Sequence, residues 1–466
     1  MARTEEGADT MARDRKQKRL STTQLILLGF LAAVLLGSLL LALPVASAEG
    51  TPTPYEDALF TAATSVCVTG LTVVDTFSHW SLFGKVVILV LIQLGGLGII
   101  SFTTGVMILI GRKITLKDRL LLENAFNLDT LSGLLRFLGK VFQGTLLVEA
   151  VGAVLCLPVF VPDYGAEGIW ISLFHSVSAF CNAGIDIIGP NSLMPYATHL
   201  WLNLVTMALI VIGGIGFVVW WDVLRVAGML RRGEVRRSQC FRRLSLHSKI
   251  TLFTTGVLLV GGWALFLLLE WNNPDTLGRF GPGGKVLAAL FQSVTTRTAG
   301  FASVPQSGLR GSSVLVSVVL MFIGGSSVST AGGVKTSTIA LVFLSAAAVV
   351  RGREDVTVFR RTVPARLVHR ASAIVIISLA TLLGCTVLLG VLQSGDFADL
   401  LFETASALGT AGLTRGVSAQ LGRAGKLLLT CCMYFGRVGP ISLAIAFAGR
   451  KSGGVTGYPE QNITIG

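Results

Sequence analysis

Charge is scarce in this sequence. Only 14% of its 466 residues are Asp, Glu, Lys or Arg, against about 25% in a typical soluble domain. A water-facing surface for a chain of this length cannot be made from so few charges, which excludes a soluble multidomain protein. Histidine is scarcer still. The five present (His79, His175, His199, His247 and His369) are scattered, which argues against a membrane-embedded enzyme built on clustered acid–base groups. The seven cysteines form no C-x-x-C and have no histidine partners at metal spacing, so they read as small packed hydrophobes. No G-x-x-x-x-G-K-[ST] loop is present, so the sequence offers no phosphate cradle of that kind.

What is abundant is apolar surface and glycine. Apolar residues make up 52%, there are 54 glycines, the net charge is +13 and the mean hydropathy is +0.72. A membrane crossing needs about 20 apolar residues. Runs near 25–43, 86–110, 141–161, 200–221, 250–271, 313–350, 371–392 and 427–448 predict eight transmembrane helices. Shorter segments near 55–66, 170–180, 286–296 and 397–408 lie between the members of each pair. They are too short to cross and predict re-entrant helices. The first run imitates a signal peptide, with a basic flank and Ala46-Ser47-Ala48 behind it. Its 19-residue core from Leu25 to Leu43 exceeds the usual 7–15 and favours a retained span.

The basic residues sort by topology. Segments 1–24, 111–140, 222–249, 351–370 and 449–466 hold 28 of the 38 Lys and Arg. Cytoplasmic loops carry such an excess, so both termini and the three long basic loops are expected in the cytoplasm. Division among five segments, without aromatic interleaving, argues against nucleic acid. Contact with membrane lipids is the expected secondary role of such loops.

Four segments superimpose: LFTAATSVCVTGLTVVDT (59–76), LFHSVSAFCNAGIDIIG (173–189), LFQSVTTRTAGFASV (290–304) and LFETASALGTAGLTRGV (401–417). Their shared glycines, Gly70, Gly184, Gly300 and Gly412, are 114, 116 and 112 residues apart. The third copy is one residue shorter between Phe and Gly. Each copy runs span, short helix, glycine segment, span, and each second span carries small residues: Gly95-Gly96, Gly213-Gly214, Gly324-Gly325, and Gly436 with Gly439. Small residues let membrane helices approach closely. They do not explain polar, non-helical segments at membrane depth, where backbone must be buried or line a water-filled cavity. The expected fold is an all-α polytopic membrane protein, with four span–pore helix–filter loop–span repeats around a pseudo-fourfold pore. A transporter of another class would often have inverted repeats, whereas these copies share one orientation. The repeats are bounded at 25–110, 111–221, 222–350 and 351–448, between tails 1–24 and 449–466.

The glycine segments offer backbone carbonyls rather than acidic side chains, and a ring of carbonyls can replace a cation's hydration shell. The candidate filter is Val68-Thr69-Gly70, Asn182-Ala183-Gly184, Thr298-Ala299-Gly300 and Thr410-Ala411-Gly412. Glycine suits it because it tolerates backbone angles closed to other residues. The helices before the loops would aim their partially negative C-termini at the ion. These four loops resemble those of the Trk/Ktr/HKT superfamily of potassium transporters, over about residues 20–450. The size is most similar to the membrane subunit of bacterial Ktr systems. The resemblance implies potassium (K+) uptake through a channel-like filter with one glycine per repeat. Glycine rather than serine at position 70 implies potassium over sodium; a sodium or mixed sodium/potassium transporter of the same superfamily is the alternative.

The resemblance also implies a multi-pass homodimer in the bacterial cell membrane. It implies a cytosolic ring of nucleotide-binding regulatory subunits, with the nucleotide on that partner and a dependence on Na+ left open. No covalent cofactor is expected. A straight 38-residue helix over 313–350 would be about 57 Å long, so the run must break at Gly324-Gly325-Ser326-Ser327-Val328-Ser329-Thr330-Ala331-Gly332-Gly333-Val334-Lys335. The family reading makes segment 324–335 an intramembrane gating loop below the filter. Arg437, inside the last span, is expected to face the pore below the filter and to hold that loop. Arg297, within the third filter copy, is expected to point behind the filter and pair with a carboxylate, Glu403 or Asp75. Glu149 and Glu270, expected near span ends, read as structural or interfacial. Asp75 and Asp186, just beyond the filters, read either as cation attractors at the outer mouth or as ordinary solvated loop residues.

Overall fold

A computed structural model describes residues 22–98, 134–353 and 355–439. The expectations for residues 1–21, 99–133 and 440–466, which include most of the N-terminal tail, most of the first basic loop and the C-terminal tail, lie outside the described residues. The described residues are mostly helical, as suits a setting where hydrocarbon offers the backbone no hydrogen-bond partner. The longer helices are α1 (Thr22–Leu41), α2 (Tyr55–Cys67), α3 (Leu82–Leu97), α4 (Leu134–Tyr164), α5 (Glu167–Cys181), α6 (Leu200–Gly214), α7 (Phe217–Arg231) and α8 (Leu246–Glu270). They continue with α9 (Pro282–Thr295), α10 (Gly311–Phe322), α11 (Thr336–Val350), α12 (Ala365–Leu392), α13 (Phe397–Gly409) and α14 (Arg423–Val438). A two-stranded hairpin, Thr357–Val358 paired with Arg361–Thr362, lies between α11 and α12.

Among the described residues, α8, α12 and Leu138–Tyr164 of α4 are each long and apolar enough to cross a membrane. Helices α6 and α7 pass the same test together but are bent by 101°. The expected single span over 200–221 is therefore broken at Ile215-Gly216. Gly216 makes the bend possible with a φ of 98°, and the Phe217 N–H leaves the helical ladder to donate to Val328 O at 2.9 Å. The sixth run breaks as expected, between Phe322 and Thr336.

The exterior is strongly apolar, and many hydroxyls are buried within a largely apolar interior. Leu147, Phe253, Leu268, Ile376 and Val391 are all more than 60% exposed, whereas Thr61, Thr64, Ser65, Ser176, Ser178, Thr295 and Ser406 are buried. The apolar exterior suits a solvent of lipid tails. The buried hydroxyls are satisfied locally in several cases: Ser65 Oγ donates to Thr61 O at 2.6 Å and Ser176 Oγ to Glu149 O at 2.7 Å.

The four short helices α2, α5, α9 and α13 correspond to the expected re-entrant segments. Their C-terminal turns sit hard against glycines of neighbouring helices. A Cβ on Gly95 would lie 2.0 Å from Val66 O, one on Gly213 1.9 Å from Phe180 O, and one on Gly436 1.9 Å from Leu408 O. Each of those carbonyls belongs to the residue four before its copy's glycine. The approach therefore recurs in copies one, two and four. In the third copy Gly324 packs instead against Gly332 O of the broken span. At the other end of α2, Glu56 and Asp57 favour the N-terminal turn and pair with α14, Glu56 with Arg423 at 2.9 Å and Asp57 with Lys426.

Gly213→Ala and Gly436→Ala are each expected to lower stability by about 1–3 kcal/mol, the usual effect of overpacking. Gly256→Ala, with nothing within 4 Å of the added Cβ, should be neutral or stabilising. Thermal unfolding of the detergent-solubilised protein separates the two outcomes.

Candidate functional site: a ring of four glycine loops

Helices α2, α5 and α13 end three residues before their shared glycine, and each is capped by a residue in the left-handed region. The caps are Val68 (φ 56°), Asn182 (φ 58°) and Thr410 (φ 52°); in the third copy Thr298 takes the same conformation (φ 66°). For a non-glycine residue this conformation costs roughly 1–2 kcal/mol, and three of the four are β-branched. The turn is held by the same fold-back bond in three copies: Thr69 N–H to Thr64 O, Ala183 N–H to Ser178 O and Ala411 N–H to Ser406 O, each 2.8 Å. In the third copy Ala299 N–H reaches Thr295 O at 2.9 Å, four residues back rather than five. The missing residue of that copy is therefore absorbed in the cap, and its glycine keeps its place.

With those N–H groups turned to the helix ends, the carbonyls turn to one another. A Cβ on Gly70 would lie 2.5 Å from Ala183 O, one on Gly184 2.4 Å from Ala299 O, one on Gly300 2.8 Å from Ala411 O, and one on Gly412 2.2 Å from Thr69 O. Each glycine abuts the carbonyl before the next copy's glycine, and the fourth returns to the first. All four have positive φ, 99°, 65°, 88° and 84°. Among the described residues, the carbonyls of Thr69, Ala183, Ala299 and Ala411 accept no hydrogen bond. All twelve residues from Val68 to Gly412 singled out in the sequence are thus brought together.

A further repeated feature was not read from the sequence. A hydroxyl stands six residues before the glycine in three copies and five before it in the short one: Thr64, Ser178, Thr295 and Ser406. Thr64 Oγ1 accepts from Gly70 N–H at 3.0 Å, Ser178 Oγ donates to Ile185 O at 2.6 Å, and Thr295 Oγ1 donates to Phe301 O at 2.6 Å. In these three copies the hydroxyl ties the glycine or the residue after it back to the helix; in the fourth, Ser406 Oγ is buried without a partner among the described residues. The signal was present as a fixed offset inside a Ser/Thr-rich stretch.

A cavity of about 170 Å3 stands on one side of the ring, lined by all four glycines together with Asp75, Asp186 and Thr414. Asp75 caps a one-turn helix through Phe77 N–H and Ser78 N–H at 3.4 and 3.2 Å, and Asp186 accepts from Ser192 Oγ at 2.5 Å. Burial pushes the Asp186 carboxyl up to about 6, against the opposing pull of the Ser192 hydrogen bond.

The broken span lies against the ring. A Cβ on Gly332 would fall 2.0 Å from Thr410 Oγ1, and one on Gly333 3.1 Å from Gly409 O. Ser326 N–H donates to Gly214 O at 2.9 Å, and Ser326 and Ser327 hydroxyls pair with Thr336 and Ser337 at 3.1 and 3.0 Å. Ser329 Oγ bonds Ser326 O at 2.7 Å. Gly325 approaches Gly214 O and the Ala331 side chain, and Lys335 Nζ donates to Ala331 O at 2.7 Å. Thr330 is the junction. Its hydroxyl is 3.1 Å from both Phe180 O and Asn182 Oδ1, and its carbonyl accepts from Arg437 Nη1. Arg437 Nη2 also donates to Gly95 O and, at 3.3 Å, to Gly96 O. These are carbonyls of the last turn of α3, which carry partial negative charge; Gly95 O also accepts from the capping Gly98 N–H at 3.1 Å. Arg437 is thus compensated by carbonyls, and no carboxylate pairs with it among the described residues.

Arg297 departs from its expected pairing. Glu403 is taken by Thr414 Oγ1 at 2.8 Å and by Ser418 N–H at 2.9 Å, and Asp75 by its helix cap. Among the described residues the guanidinium makes one hydrogen bond, from Nη2 to Gly324 O at 3.3 Å. The carboxylates nearest in sequence reasoning were claimed first by local donors, which need no long side chain to be ordered. Glu270 has the structural role expected of it, accepting from Asn273, Thr276 and the Arg310 N–H. Glu149 lies in the middle of α4 rather than near a span end, and accepts from Gln93 Nε2 at 2.5 Å.

The sequence matches the family model TrkH, "Cation transport protein", over residues 13–454. It is 36% identical to the potassium/sodium uptake protein NtpJ of Enterococcus hirae, covering 98% of this chain and 100% of that protein. It is 36% identical to Ktr system potassium uptake protein B of Bacillus subtilis, with the same coverages, and 38% identical to the protein of that name from Vibrio alginolyticus over 95% and 94% of the two chains. The fold is similar to the crystal structure of the potassium transporter TrkH from Vibrio parahaemolyticus, with a TM-score of 0.68 at 20% identity over 93% of this chain and 86% of that one. With the apolar exterior, the carbonyl ring and a match along nearly the whole chain, this protein is a membrane transporter and not an enzyme, and it belongs to the TrkH cation transport protein family as a membrane subunit of the Trk/Ktr superfamily.

Proposed function

We propose that this protein carries potassium into the cell through the ring of four glycine loops. The observation that carries the reading is the closed circuit of glycine–carbonyl contacts, whose oxygens have no donor among the described residues. Carbonyl oxygens are hard ligands that suit a dehydrated alkali cation, and the inside-negative potential supplies about 2.3 kcal/mol per charge per 100 mV. The four copies form a pseudo-fourfold pore with eight spans, in repeats 25–110, 111–221, 222–350 and 351–448. Both termini are cytoplasmic, in the plasma membrane. The printed names of three full-length relatives support potassium as cargo. The name of the Enterococcus relative includes sodium, which is the specific ground for the second reading, a mixed potassium/sodium transporter.

Segment 324–335 acts as a gate held beneath the filter, with Arg437 as its latch and Lys335 beside it. Both place positive charge below the ring and shorten cation residence there. A homodimer on a cytosolic nucleotide-binding ring completes the assembly. Naming of relatives as one lettered protein of a Ktr system supports a multi-component machine. Loops 222–249 and 351–370 supply the docking surface: Phe241 and Phe359 pack edge to face, 5.7 Å apart, and join the exposed Arg236, Arg237, Arg242, Arg243, Arg360 and Arg361 into one basic surface.

Flux of potassium, rubidium and sodium into proteoliposomes tests the main reading. Potassium and rubidium should enter and sodium should not, and Gly70→Ser should relax that discrimination; equal sodium entry in the unaltered protein moves it to the second reading. Arg437→Ala should leave the protein assembled but raise potassium flux, up to roughly tenfold for one charged hydrogen bond of about 1.5 kcal/mol; unchanged flux removes the latch role. Asp186 loses its charge as pH falls through about 6. Uptake at sub-saturating potassium should therefore decline through that range, and Asp186→Asn should show the low, pH-independent rate throughout.

A further inference from the structure

Behind the third filter loop lies a small cavity of about 20 Å3, lined by Asn182, Gly214, Thr255, Val294, Arg297 and Gly325 together with aliphatic side chains. It exceeds the roughly 10–15 Å3 that one water-sized occupant needs. Three polar atoms of its lining residues have no partner among the described residues: Arg297 Nε, Asn182 Nδ2 and Thr255 Oγ1. All three residues are more than nine-tenths buried. The guanidinium cannot shed its proton in a protein, and no acidic side chain lines the cavity. A buried charge without a counter-charge carries a heavy desolvation penalty.

We propose that this cavity binds one monovalent anion of halide size, held by Arg297 Nε–H, the Asn182 amide and the Thr255 hydroxyl. Charge and donor inventory favour an anion over water. Two of the three groups can only donate, the Asn182 amide being oriented by the Thr330 hydroxyl at its Oδ1, and a water would bring protons that find few acceptors. Arg297 immediately precedes Thr298 of the filter, so an uncompensated positive charge there would act on a cation in the ring; the anion cancels it. The same anion ties together the third filter loop, the cap of the second filter loop at Asn182, and α8 at Thr255. The site is independent of which cation the protein carries.

The test uses the intact protein and bromide as probe. Crystals grown in potassium bromide should show an anomalous peak beside Arg297 Nε. Titrating bromide against gluconate at fixed ionic strength should raise the thermal unfolding midpoint saturably. Thr255→Val, which removes one hydroxyl and keeps the shape, should raise the half-saturating bromide concentration roughly 3- to 10-fold. Density without anomalous signal in bromide, or a midpoint that follows ionic strength whichever anion is present, overturns the proposal in favour of a buried water or an empty space.

Discussion

The structure depends on one constraint: at membrane depth every backbone polar group needs a partner, and four carbonyls have none among the described residues. The helices meet the constraint internally. The glycine loops do not, because their left-handed caps spend the N–H groups on helix ends and leave Thr69 O, Ala183 O, Ala299 O and Ala411 O facing one another. Four such sets of oxygens would repel each other and resist burial. Everything around them serves to hold that arrangement: short helices that stop there, hydroxyls that pull the far strand back, and neighbouring helices pressed against the last helical turns through Gly95, Gly213 and Gly436. In the function proposed above, a passing cation relieves the repulsion, so the feature that is costly to fold is also the one that transports.

The third copy is where the fourfold pattern is broken, and the breaks coincide. Its loop is a residue shorter, it alone carries an arginine three before the glycine, and its second span opens into the segment from Ile323 to Lys335. That segment cannot continue a helix because its carbonyls and N–H groups are taken by other elements: Gly213 and Gly214 of α6, Phe217 of α7, and Arg437 of α14. Arg437 joins it to the C-terminus of α3, so a change at the loop is felt at the first and fourth copies together. Movement of this segment would exchange one set of backbone partners for another rather than break an apolar core.

Much of this was legible beforehand. The period of about 114 residues located the four short helices to within a few residues, and the Gly/Ser/Thr stretch located the break, because both signals are local and backbone-driven. The bend between α6 and α7 was not legible: its partner, Val328, lies more than a hundred residues away. Nor was the fate of Arg297, since choosing its partner required knowing that Glu403 and Asp75 had nearer donors.

The sequence by itself determined that the chain lives in a membrane and that four glycines hold equivalent places in a repeat, since hydropathy and repetition are properties of the chain in order. Only the tertiary structure decided that those glycines touch in a ring, that Arg437 rests on carbonyls rather than a carboxylate, and that Arg297 has an open cavity instead of a salt bridge. Those outcomes depend on which groups arrive first at angstrom distances, and a linear order of residues carries no such distances.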